Sequence, residues 1–176
     1  LGASAAKIGK SDQAVNAFKK VIALKPDYAD AYNNMGVALQ DQGKLDEAIT
    51  SYKKAISLKP NYADACNNMG NALKAQGKLD EAIDAYKKAI SLNPDYVYAY
   101  YNMGNAFQDL GKIDEAIAVY KKALVLNPYY ADAYSNIGLA LKAAQEFNIS
   151  VLLKGANSVV ADNKNAWQLF GTDSQT

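Results

Sequence analysis

The chain has 176 residues, with 19 Lys plus Arg against 18 Asp plus Glu, no histidine and a single cysteine, Cys66. A net charge of +1 supplies no electrostatic pull toward nucleic acid or an anionic membrane, and the lack of histidine excludes ordinary catalytic triads and most zinc sites. One cysteine allows no internal disulfide, and no apolar run approaches the length that crosses a bilayer.

The opening stretch, LGASAAKIGK, has no signal-peptide pattern. From there the chain is periodic. Prolines fall at 26, 60, 94 and 128, and each begins a P-x-Y triplet. The run GK[LI]DEAI recurs at 43, 77 and 111, with a looser GKSDQAV at 9. A fixed period of 34 residues predicts stacked supersecondary units, none able to bury its apolar face alone.

Each unit reads as two helices. Asp27, Asn61 and Asp95 follow the prolines as expected N-caps, backed by Asp30 and Asp64. The first helix should stop at Gly43, Gly77 or Gly111, and Asp46, Asp80 or Asp114 should open the second. Connections this short predict antiparallel neighbours.

The period divides the chain into a truncated unit at 1–28, full units at 29–62, 63–96 and 97–130, and a degenerate unit at 131–163. Residues 164–176 then open a further unit or form a tail. On this register the chain begins inside a unit, with Gly2 matching Gly36 and Phe18 matching Tyr52. In the degenerate unit Gln145 stands where glycine is expected, while Phe147, Ser150, Leu153 and Ala156 fall near the second-helix sites.

The spaced residues Tyr32, Met35, Gly36, Leu39, Ala48, Tyr52, Ala55 and Pro60, repeated with small changes in the next two units, make the chain resemble the tetratricopeptide repeat (TPR) family. The resemblance implies an all-α fold: a right-handed superhelical solenoid whose first helices line a concave groove. It implies a non-enzymatic protein-binding module, with no catalytic residue, cofactor or metal.

One asparagine sits in mid-helix in every unit: Asn34, Asn68, Asn102 and Asn136, always before Met or Ile and Gly. Taking Tyr100, Met103, Gly104 and Phe107 as the buried stripe, Tyr98, Tyr101, Asn102, Asn105 and Asp109 centre on the other side. Packed helices recur about every 8–10 Å, and an extended peptide advances about 3.3 Å per residue, so such an amide meets every third peptide unit or so. A carboxamide pairs with a backbone N–H or C=O alike. The four asparagines, with Asn71 and Asn105, are thus expected to grip a guest backbone, and Tyr98 and Tyr101 to add selectivity. The other reading is that these amides serve solubility or bond a neighbouring repeat. O-linked N-acetylglucosamine transferases carry the same ladder in their TPR superhelix, and the stretches DAYNNMG and ADAYSNIG resemble it.

The stripe also carries Asn33, Asn67, Tyr101 and Ser135, with Asp30, Asp64 and Asp132 beside them, where repeats that clamp acidic chaperone tails need Lys or Arg. The expected partner is therefore a neutral or basic protein segment in a cytoplasmic setting, without nucleic acid or membrane. The alternatives are the substrate arm of a glycosyltransferase, or a scaffold that self-assembles through a tail bearing Trp167, Leu169 and Phe170. Lysine pairs such as Lys53–Lys54 read as a solvated outer face, Cys66 as a small core residue, and Asn148-Ile149-Ser150 as a bare sequon.

Overall fold

The computed structural model describes residues 2–146, with side chains from residue 11 onward. It contains α1 (Gly2–Leu24), α2 (Ala29–Asp41), α3 (Leu45–Leu58), α4 (Ala63–Ala75), α5 (Leu79–Leu92), α6 (Val97–Asp109) and α7 (Ile113–Leu126), followed by α8 over residues 131–146. No strand occurs among the described residues. The sequon, Trp167 and the second half of the degenerate unit lie outside them.

The glycine stops behave as the sequence predicts. Gly43, Gly77 and Gly111 adopt φ of 74°, 76° and 72°, a left-handed conformation that costs a side chain dearly. The Gly77 N–H donates to Lys74 O at 2.9 Å and the Lys78 N–H to Leu73 O at 3.0 Å, the paired bonds of a Schellman cap. Asp80 and Glu81 then lie in the first turn of α5, where the helix dipole favours them.

The predicted N-caps are overturned. Tyr28, Tyr62 and Tyr96 occupy the cap positions, and none makes a side-chain cap bond. The preceding proline and Asp or Asn are taken up by a tight turn instead, in which the Tyr62 N–H donates to Lys59 O at 3.1 Å and the Tyr96 N–H to Asn93 O at 3.1 Å. Proline presets the second position of such a turn, so the helix starts one residue later than caps at Asp27, Asn61 and Asp95 would place it. A second departure is α1, which runs unbroken through Gly9, where the repeat register would place a stop. Ser11 stands there in place of Leu45, Leu79 and Ile113, the apolar residues that open the later second helices.

Each pair closes over one interlock. Tyr52, Tyr86 and Tyr120 are fully buried, with Ala48, Ala82 and Ala116 equally enclosed. A Cβ on Gly36 would lie 2.6 Å from the Tyr52 ring, and one on Gly70 would lie 2.5 Å from Tyr86. The bare glycine backbone is what admits the ring. Cys66 packs beside Ala89 and Ala99, and burial pushes its thiol up, consistent with a core role.

Each first helix also packs on the second helix of the preceding pair: α3 on α4, and α5 on α6. In addition α4 touches both α2 and α6, whereas no comparable contact joins α3, α5 and α7. Helices that approach one another more closely lie on the inside of a curve. The first helices therefore form the concave side of a superhelical stack.

Candidate functional site

The candidate site takes one equivalent position from each of α2, α4, α6 and α8. Asn34 is exposed, and Asn68, Asn102 and Asn136 are half-buried along the same line. None of the four lies in the core or on the outer curve.

They are nevertheless bonded to the protein itself. The Asn68 Nδ2 donates to Asn33 Oδ1 at 3.1 Å, and the Asn102 Nδ2 donates to Asn67 Oδ1 at 3.1 Å, each reaching one repeat back. Asn136 Nδ2 donates to Asn105 Oδ1 at 2.8 Å and to the Tyr101 hydroxyl at 3.2 Å. Bonding to a neighbouring repeat is thus a real use of these amides. It takes one N–H from each of Asn68 and Asn102 and leaves the carboxamide oxygen unused by other side chains among the described residues.

The neighbouring stripe is corrected. Asn33 and Asn67, placed by the helical wheel on the groove surface, are 6% and 5% exposed and sit between successive first helices. Tyr101 takes the same place in the next repeat, its ring 4.9 Å from that of Tyr130 and 5.8 Å from that of Tyr120. It is a packing residue more than a free anchor. Tyr98 remains 61% exposed, with one edge contact to Tyr130 at 6.0 Å.

Asn71 and Asn105 have a partner that the sequence did not suggest. The ring of Tyr86 passes beneath Gly70 and its hydroxyl donates to Asn71 Oδ1 at 2.8 Å; the Tyr120 hydroxyl donates to Asn105 Oδ1 at 2.7 Å. Buried phenols of the outer helices therefore hold asparagines of the inner helices from beneath. Burial raises the Tyr86 pKa, and that of Tyr120 is pushed up to about 12.

The acidic rim is also engaged. Burial first, and then the carboxylate of Asp30 one repeat back, raise the Tyr62 phenol, and Tyr96 stands in the same relation to Asp64. The third repeat has Tyr98 where an aspartate would stand, and the Tyr98–Tyr130 ring contact takes the place of the phenol–carboxylate pair. Further along, Lys74 Nζ bridges to Asp109 Oδ2 at 2.9 Å.

A curved stack of helix pairs with a polar inner face defines a helical-repeat protein. The TPR repeat model matches residues 5–43, 38–77, 70–111 and 104–145, so the chain belongs to the TPR repeat family. No curated protein sequence matches it. Among solved structures it is similar to MamA, with 31% identity and a TM-score of 0.73 over 90% of this chain and 92% of that one. It is also similar to the first TPR of Spaghetti (RPAP3) bound to the HSP90 peptide SRMEEVD, with 29% identity and a TM-score of 0.65 over 66% and 93%. The Arabidopsis OM64 TPR domain shares 25% identity and a TM-score of 0.62 over 65% and 94%. TPR repeats generally mediate protein–protein interactions, and this chain has their all-helical solenoid.

Proposed function

We propose that the chain is a non-enzymatic binding module that holds an extended protein segment in its concave groove, with Asn34, Asn68, Asn102 and Asn136 contacting the guest backbone. The observation that carries this reading is the line of exposed or half-buried carboxamides along the inner helices, spaced by one repeat. An amide oxygen beside a guest N–H contributes about 0.5–1.5 kcal/mol net, so four rungs give weak, sequence-tolerant binding.

The charge of the guest follows from the rim. Asp30, Asp64, Asp109 and Asp132 lie on or beside this face, and Lys74 is already paired with Asp109. An acidic peptide of the kind bound by Spaghetti would meet like charge here, so a neutral or basic segment fits better. Tyr98, the most exposed inner-face aromatic of α6, is the candidate for side-chain selectivity.

The test is a set of labelled peptides of about ten residues, the span of four rungs at the packing distance of helices. Neutral and basic peptides should bind more tightly than acidic ones. Replacing all four asparagines by alanine should weaken binding several-fold with helical content unchanged. Equal affinity in the substituted protein would refute the ladder.

A further inference from the structure

The four amides are not equivalent. Asn68 and Asn102 are each held by a single bond to a buried carboxamide one repeat back, on Asn33 and Asn67. A primary amide has two N–H groups and an oxygen, so this bond fixes its rotation and leaves one donor and one acceptor. Asn136 differs: its two N–H groups are taken by Asn105 Oδ1 and the Tyr101 hydroxyl, which leaves only the oxygen. Asn34 accepts from Asn33 of its own repeat at 3.4 Å.

We infer that Asn33 and Asn67 are positioning residues, which orient Asn68 and Asn102 as the two rungs able to pair with both the N–H and the C=O of a guest backbone. The inference rests on the groove reading above and goes further, because it names two held rungs and the residues that hold them. Asn136 serves as an acceptor only. Fixing the amide beforehand removes rotamer freedom that binding would otherwise have to freeze. The repeated Asn-Asn pairs at 33–34 and 67–68 are then one device: the first residue is the holder and the second a rung, the holder of one repeat serving the rung of the next.

The experiment uses Asn67→Leu, which keeps the side chain's shape at a buried site while deleting the acceptor. In the free protein, the Asn102 side-chain amide is followed by NMR hydrogen exchange. The wild type should protect one Asn102 amide proton, and Asn67→Leu should lose that protection. The probe for binding is a ten-residue peptide of alternating glycine, serine and threonine, titrated into the same samples. Asn67→Leu should weaken its binding about threefold or more, and should add nothing in an Asn102→Leu background.

Unchanged amide protection in Asn67→Leu would overturn the inference, as would an equal loss of binding with and without Asn102. If the wild type fails to bind the peptide while the protection behaves as expected, the groove reading falls and the positioning bond stands.

Discussion

Tyr86 reaches the inner face of the molecule by passing under Gly70, whose missing Cβ would stand 2.5 Å from the ring. The hydroxyl then bonds Asn71 at 2.8 Å, so one side chain links the outer helix, the core and the groove. The same glycine–tyrosine interlock recurs at Gly36 with Tyr52 and at Gly104 with Tyr120.

Gly70→Ala should therefore destabilise by about 1–3 kcal/mol through overpacking, measured by urea unfolding. Gly77→Ala should cost about 1–2 kcal/mol for a different reason, since nothing crowds it but its φ is 76°. Asparagine tolerates that conformation, so Gly77→Asn should be milder than Gly77→Ala, whereas no larger residue should relieve position 70.

The cross-repeat phenols give a second contrast. Tyr62→Phe removes the phenol that faces Asp30 and should cost about 0.5–1.5 kcal/mol. Tyr130→Phe keeps the ring that meets Tyr98 edge-on and should cost less. A larger loss at 130 than at 62 in thermal unfolding would contradict the exchange of a phenol–carboxylate pair for a ring contact.

Alkaline stability follows from the same groups. Tyr120 and Tyr130 are pushed up to about 12, first by burial, from an ordinary value near 10. The unfolded chain thus loses these protons first, so their contribution is complete below pH 10 or so and is lost as pH rises toward 12. Tyr120→Phe should flatten the fall in stability across that window; lysine titrations are common to both proteins and cancel. An unchanged slope would mean that the phenol is not desolvated.

Groove charge can be checked apart from the ladder. Asp30→Asn with Asp64→Asn should improve binding of acidic peptides and leave neutral ones within about twofold at low salt, an advantage that fades as salt screens the rim. A shift of the same size for both peptide types would place the guest elsewhere.

Several elements were fully legible from residues alone. The interval between Pro60 and Pro94 and the glycine stops rest on local geometry within one repeat. The caps were misread because Asp27 and Asn61 look the same in a turn as at a helix start; only the turn hydrogen bonds separate the two. Asn33 and Asn67 were misplaced because a helical wheel measures angle against one partner. In the fold, α4 has neighbours on four sides: α2, α3, α5 and α6.

The sequence by itself thus determined a helix-pair solenoid and the recurrence of one amide per repeat. The tertiary structure alone decided which amides face the groove and which lie between helices. The reason is distance along the chain: the partner of Asn102 is Asn67, in the previous repeat, and that pairing exists only once α4 and α6 are brought side by side.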